Sequence, residues 1–327
     1  MKQRTLGKTG LQVSELALGG LFVSAFGGEF EQTKLAVQRA LELGLNYIDT
    51  APTYANSEEV LGKALEGVTA PLVFSTKLGG RPYPFEPQNK TALRASLLES
   101  MRLLNRDYID VLMIHEPERP GQYDWWSDSE RFYGPVVEFL SDAKAEGLIG
   151  FTGLGGTTAY EMARIVDTGQ FDVVLTAFNY SLLWREAEHS VLPAATAQGM
   201  GIVIGSPLQQ GSLARRHDEE VRNGAPWLSP PRRAQFRELY KLLDEVDISL
   251  PEMGLRFMLS NPAVSCVLTG ARSAGEVEAN VAAAEKGPLD AGLIRRIDEI
   301  AAMVPFRPYE EPFSLPFGGN YKGPGQA

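Results

Sequence analysis

Four residues in this 327-residue chain have the types and spacing needed for proton transfer: Asp49, Tyr54, Lys77 and His115. Asp49, Lys77 and His115 each close a short apolar run (YID, VFSTK, VLMIH), and Tyr54 follows Asp49 by five residues. Singly, each has an ordinary structural explanation. A histidine after an apolar strand packs at a rim, and an aspartate before threonine caps a turn. Four such residues brought to one place are harder to explain as structure. A tyrosine hydroxyl titrates near ~10, which makes it a reluctant acid-base at neutral pH. A neighbouring ammonium favours the phenolate and lowers that value. An aspartate would keep the lysine charged, and a histidine can hydrogen-bond and polarise a substrate oxygen. Lys77 alone allows a different chemistry, a Schiff base of the lyase or aldolase kind, which predicts borohydride trapping and leaves Tyr54 without a role.

The elements that must position these residues are legible as a rhythm. Short apolar runs rich in Val and Ile occupy residues 16–19, 45–50, 72–76, 111–115, 150–154, 173–178, 201–205 and 264–269. Near-continuous apolar runs are the mark of strands buried on both faces. Amphipathic stretches lie between them. Residues 33–43 place Leu35, Ala36, Ala40 and Leu41 on one face, and 93–104 and 136–144 read the same way. Eight strands alternating with helices predict an α/β fold, a parallel (β/α)8 TIM barrel over 1–327 with an N-terminal β-hairpin and long loops at the C-terminal face. A doubly wound sheet would want a G-x-G-x-x-G turn after a first strand, and none is present. Two regions break the rhythm: 208–233, which reads as a long loop, and 305–327, rich in Pro, Gly and aromatics. Phe306, Tyr309, Phe313, Phe317 and Tyr321 predict that this tail helps to form a substrate pocket.

Residues 45–51 (LNYIDTA), Tyr54, Lys77 in Ser-Thr-Lys, His115 in Met-Ile-His and the opening LGKTGLQVS at 6–14 together resemble the aldo-keto reductase family. The resemblance runs from there to about Asn280. It implies hydride transfer between a nicotinamide cofactor and an aldehyde, ketone or sugar hydroxyl. Tyr54 is then the acid-base, Lys77 its tuner, Asp49 the orienter of Lys77 and His115 the orienter of substrate. The resemblance also places the cofactor on Gly20 and Asp49, on the loop Ser206-Pro207-Leu208 along the pyrophosphate, and on Gly270, Arg272, Ser273 and Glu276 around the adenosine 2′ position. Asn280 meets the adenine. A strand end feeding a helix N-terminus suits a phosphate.

The chain departs from the family where the nicotinamide is gripped. The usual Ser-Asn aligns with Gly155-Gly156, the usual Gln with Leu175 and the usual stacking Tyr with Gly205, which leaves backbone groups near Gly155, or Asn179, to serve. The pattern GLGG and GSPL is similar to a sugar-dehydrogenase branch of the family. NADP-preferring members often carry Lys at the position of Gly270 and Arg at that of Glu276. Both are missing, Glu276 would repel a 2′-phosphate, and only Arg272 could meet it, so NADP and NAD are both expected to work, with a mild lean to NAD.

On the substrate side, Tyr83, Trp125, Trp126 and Trp184 all fall in loops after strands and read as aromatic platforms for a sugar or ring substrate beside Tyr54 and His115. The net charge of −10 argues against a phosphate-tracking nucleic-acid surface but not against an anionic cofactor. The N-terminus has no apolar signal core, no run approaches the ~18 residues of a spanning helix, and no Cys/His/carboxylate spacing suggests a metal. The one cysteine, Cys266, lies in an apolar run and is expected to be buried. A cytoplasmic enzyme without membrane or nucleic-acid partners is the expectation. The competing reading from another class is a cofactor-sensing binding subunit without significant turnover.

Overall fold

A computed structural model describes residues 1–225 and 227–308. Two short strands, β1 (Gln3–Thr5) and β2 (Gln12–Ser14), form an antiparallel hairpin with Arg4 opposite Val13. Eight more follow: β3 (Leu16–Gly19), β4 (Tyr47–Asp49), β5 (Val73–Leu78), β6 (Ile109–His115), β7 (Ile149–Gly156), β8 (Val173–Ala177), β9 (Gly201–Gly205) and β10 (Cys266–Thr269). They pair in parallel and close on themselves through β10 and β3, making the (β/α)8 barrel. Each of the eight apolar runs is one of these strands.

Alternation along the strands explains why the runs are apolar throughout. Ala17, Tyr47, Val73, Val111, Met113, Val173, Leu175, Val203, Cys266 and Leu268 point into the lumen. Their neighbours Leu16, Leu18, Ile48, Phe74, Leu112, Ile114, Val174, Ile202, Ile204 and Val267 pack outward under the helices. Both faces are therefore buried, and neither can be polar. Leu6 and Val13 of the hairpin join the inner cluster and close one end of the barrel. Arg4 fastens the hairpin there by donating to the carbonyls of Leu259 and Val264 at 2.7 and 2.9 Å. Cys266 is buried as its run predicts, and burial pushes its thiol up.

The helix expected at 33–43 runs Phe30–Glu42, but its buried face is Thr33, Ala36, Val37 and Ala40. Leu35 is 59% exposed, because the helix begins earlier and its inward stripe falls on Val37 instead. The region 208–233 is not all loop. It holds a short helix, Asp218–Asn223, and the start of the helix Pro230–Glu245. Pro230 and Pro231 open that helix rather than break it: the first turn needs no N–H donors there, and Ser229 caps it through the backbone N–H of Arg232. The tail is described only to Pro308, where Phe306 is exposed, so Tyr309, Phe313, Phe317 and Tyr321 lie outside the described residues. Among the described residues, no helix is long and apolar enough to cross a membrane and no group of His, Cys, Asp and Glu is arranged to hold a metal.

Candidate active site

β4, β5 and β6 are neighbours in the barrel, and Asp49, Lys77 and His115 stand at or near their C-terminal ends. Asp49 is in register with Ser75, so Lys77, two residues on, faces the same lumen one layer above it. The Lys77 ammonium donates to Asp49 Oδ2 and to the Thr50 carbonyl, each at 2.7 Å. Lys77 and Asp49 are both buried, so this is a fully desolvated ion pair. Lys77 Nζ also lies 4.9 Å from the centre of the Tyr54 ring. Tyr54 packs edge-on against His115, ring centres 5.8 Å apart, and its hydroxyl has no protein partner among the described residues. His115 Nδ1 is 3.3 Å from the Thr53 hydroxyl. A neutral ring that accepts there carries its one N–H on Nε2, which is left for a ligand.

The electrostatics separate the members. Burial, then the Lys77 charge, holds His115 well below the usual histidine range, so the ring is neutral at neutral pH. Tyr54 differs from the expectation that Lys77 lowers it. Burial, then the charges of Asp49 and Glu116, pushes the phenol well above its usual value. Burial is the largest of these causes, and it outweighs the Lys77 ammonium beside the ring. In this state Tyr54 is protonated at neutral pH.

Glu116, directly after His115 and with φ of 51°, lies beside this group unannounced by the sequence. Its Oε2 accepts the Thr157 hydroxyl at 2.7 Å, while Glu118 Oε1 accepts the backbone N–H of Thr157 at 2.6 Å and of Thr158 at 2.8 Å. Burial, reinforced by Glu118, pushes the Glu116 carboxyl up to about 8.

A groove of about 730 Å³ runs from the end of β9 to the end of β10, and Ser206, Leu208, Gly270, Arg272, Glu276 and Asn280 all line it. Its floor was not foreseen: the Phe22 ring lies where a side chain at Gly270 would go, 2.6 Å from its Cβ position, and the Arg272 guanidinium sits 4.5 Å over the same ring. Glu276 Oε2 turns back to accept the Arg272 backbone N–H at 2.7 Å, and Ser273 caps the helix Ala274–Glu285 through the N–H of Glu276 at 3.3 Å. Gly20 is packed by the Asp49 carbonyl and the Thr50 and Ser57 hydroxyls, with no room for a Cβ, and its own carbonyl accepts the Ser57 hydroxyl. Gly155 lies against Lys77, Cβ position to Cε 3.3 Å. Asn179 spends its amide protons on the Thr157 carbonyl at 2.8 Å and the Thr176 hydroxyl at 3.2 Å, so only its Oδ1 remains for a ligand.

The aromatic platforms are largely corrected. Trp125 is 0% and Trp184 1% exposed, so neither can offer a face to a substrate. Trp125 is held inside by its indole N–H on the His115 carbonyl at 3.1 Å, and Trp184 is covered by Arg232 at 4.3 Å. Trp126 is partly buried, with its N–H on the Pro117 carbonyl and its ring edge-on to Phe132. Tyr83 is the opposite case at 95% exposed, standing free in the loop after β5. Position after a strand located all four near loops but could not say which way they turn.

The Aldo/keto reductase family model matches residues 17–302. L-galactose dehydrogenase of Arabidopsis thaliana is 29% identical over 290 residues, covering 86% of this chain and 87% of that protein. A putative voltage-gated potassium channel subunit beta of Schizosaccharomyces pombe is 28% identical over 337 residues, covering 92% and 94%. Among solved structures, the aldo-keto reductase AKR11C1 from Bacillus halodurans in its holo form superposes with a TM-score of 0.77 at 29% identity, covering 92% of this chain and 96% of that one. With the family model spanning β3 to the last helix of the barrel, the chain belongs to the aldo/keto reductase family and is an NAD(P)-dependent oxidoreductase.

Proposed function

We propose that this chain is one catalytic domain that reduces an aldehyde or ketone, or in the reverse direction oxidises a sugar hydroxyl, with Tyr54, Lys77, Asp49 and His115 as its machinery. The observation that carries this reading is the unpartnered Tyr54 hydroxyl beside the neutral His115 and the buried Lys77–Asp49 pair. His115 Nε2–H holds the substrate oxygen. Tyr54 gives its proton to that oxygen as negative charge develops on it, and takes it back in the oxidative direction. The raised phenol value keeps Tyr54 protonated at neutral pH, the form that the reductive direction starts from.

The residues present fit a dinucleotide. The groove at the ends of β9 and β10 has the volume for one, a capped helix N-terminus at Ser273, and two exposed arginines, Arg215 and Arg272, on its walls. Ser206 and Leu208 would hold the pyrophosphate, Arg272, Ser273 and Glu276 the adenosine ribose, and Asn280 the adenine. Gly20, Gly155 and Asn179 Oδ1 are nearest the nicotinamide end. When bound, the cofactor supplies or accepts the hydride. Both NAD and NADP are expected to serve, with NAD favoured, because the Glu276 carboxylate lies 2.7 Å from the Arg272 backbone in the 2′ region and opposes a second phosphate there.

The test is a panel of aldehydes, ketones and aldoses assayed with each cofactor, in wild type and Tyr54→Phe. Turnover that falls at least ~10²-fold in Tyr54→Phe with cofactor affinity kept is the expected result. Near wild-type turnover in the variant would remove Tyr54 from the mechanism. Cofactor binding without turnover of any substrate would favour a sensing subunit, the reading that the Schizosaccharomyces pombe relative brings forward.

A further inference from the structure

The Asp49 carboxylate is gripped from a second side that the four-residue reading leaves out. Asp49 and Ser75 are register partners across β4 and β5, and Tyr47 lies one layer below Asp49 on the same inward face. The Ser75 Oγ is 2.6 Å from Asp49 Oδ1, and the Tyr47 hydroxyl is 3.0 Å from Ser75 Oγ. All three side chains are buried. Chemistry fixes where the protons lie. An ionised carboxylate only accepts, so the single Ser75 proton goes to Oδ1, and Tyr47 must then donate to Ser75. Lys77 holds the other oxygen, Oδ2.

The surroundings argue that this chain exists for Asp49. Around them the lumen is lined by the apolar side chains of Val73, Val111, Met113, Val173, Leu175, Val203 and Leu268. Phe at 47 and Ala at 75 would fill nearly the same space without burying two hydroxyls, each of which costs free energy unless it is hydrogen-bonded. Linked hydroxyls also polarise one another, so the Tyr47 donor strengthens the Ser75 bond to the carboxylate.

We propose that Ser75, backed by Tyr47, is a positioning residue: the chain Tyr47 O–H to Ser75 O–H to Asp49 keeps the carboxylate ionised and aimed, and so fixes the Lys77 ammonium beside Tyr54. The proposal rests on the reading of Asp49, Lys77 and Tyr54 as acid–base machinery.

The experiment compares Ser75→Ala, Ser75→Thr and Tyr47→Phe with wild type. It reads kcat and both Michaelis constants across pH, and follows the Asp49 carboxyl by carbon NMR titration in the cofactor-free protein. Ser75→Ala is expected to lower kcat roughly 10- to 100-fold, the size of one charge-assisted hydrogen bond, with the cofactor Michaelis constant nearly unchanged. Its acid limb should move to higher pH, because a proton competes better for an oxygen with no donor, and the NMR midpoint should move with it. Ser75→Thr should restore both, and Tyr47→Phe should shift both in the same direction by less. Wild-type kcat and an unmoved acid limb in Ser75→Ala overturn the proposal. So does a loss of kcat with an unmoved limb and no rescue by Ser75→Thr, which is the signature of packing damage. Tyr47→Phe removes one oxygen only, so if Ser75→Ala fails to fold, an unmoved titration in folded Tyr47→Phe is decisive against it. An active Tyr54→Phe would sink the acid–base reading instead, while the titration in the cofactor-free protein still tests the chain by itself.

Discussion

Lys77→Met should separate the charge of the lysine from its bulk. The ammonium is 1% exposed and makes two 2.7 Å bonds, to Asp49 and to the Thr50 carbonyl. Methionine keeps most of the volume but leaves Asp49 as a buried carboxylate with Ser75 as its one remaining side-chain donor. Breaking a buried pair from one side costs about 3–5 kcal/mol. Against a total of about 5–15 kcal/mol the barrel should survive, and with a urea dependence of about 3 kcal/mol per molar the midpoint should fall by about 1–2 M. Asp49→Asn in the Lys77→Met background removes the orphaned charge and should recover part of that loss, although each single change impairs turnover. The assay is urea unfolding of both singles and the double, with kcat measured on each. A Lys77→Met protein with the wild-type midpoint, or one as active as wild type with an unchanged pH profile, would refute the claim that Asp49 depends on the Lys77 charge and that Tyr54 needs it.

Two further outcomes follow from the same geometry. Glu116, pushed up to about 8 by burial and Glu118, with Arg119, Tyr54 and Tyr123 as its other ionisable neighbours, binds its proton in the folded protein and loses it when unfolded at the same pH. Its contribution to stability is therefore full below the ordinary carboxylate range and is lost as pH rises toward about 8. Glu116→Gln, which fixes the neutral form, should flatten the stability curve over that window, and parallel curves for variant and wild type in urea melts at stepped pH would reject it. In the groove, Glu276→Arg should shift cofactor preference toward NADP by roughly 10- to 100-fold and Arg272→Ala should cost NADP more than NAD. Strong NADP selectivity that persists in Arg272→Ala would mean that the 2′ position lies elsewhere.

The sequence announces those features that depend on one residue type at one strand end. Asp49, Lys77 and His115 could be placed because each closes an apolar run, and a barrel delivers such residues to one face. Ser75 was hidden because serine two before a lysine is commonplace, and only the register with Asp49 gives it meaning. Thr53, Phe22 and Glu116 were hidden for a related reason: they lie in turns or, for Phe22, a single-turn 3-10 helix, where backbone angles such as the positive φ of Glu116 decide direction and no periodicity reports them. The tryptophans failed in the opposite sense. Their loops were located correctly, but a large apolar ring in a loop over a barrel is drawn inward by burial, as Trp125 and Trp184 are.

The three departures from the family pattern at positions 155, 175 and 205 look independent in sequence and are coupled in space. A Cβ on Gly205 would stand 3.2 Å from Leu175 Cδ2 and 3.1 Å from Ala177 Cβ, so the leucine already leans into the space that a larger residue at 205 would use. β8 and β9 pair Leu175 with Val203 and Ala177 with Gly205, which sets that leucine one layer below the glycine. Leu175 on β8 thus borders the space that a side chain at 205 on β9 would take. On the next strand round, Gly155 keeps clear of the Lys77 stem, where a Cβ would already press at 3.3 Å. Restoring a large ring at 205 alone should clash with Leu175, and only a joint change at 175 and 205 leaves room for it. The smooth apolar wall is therefore a packed solution in its own right, which leaves polar recognition at this end of the site to backbone groups and to Asn179 Oδ1.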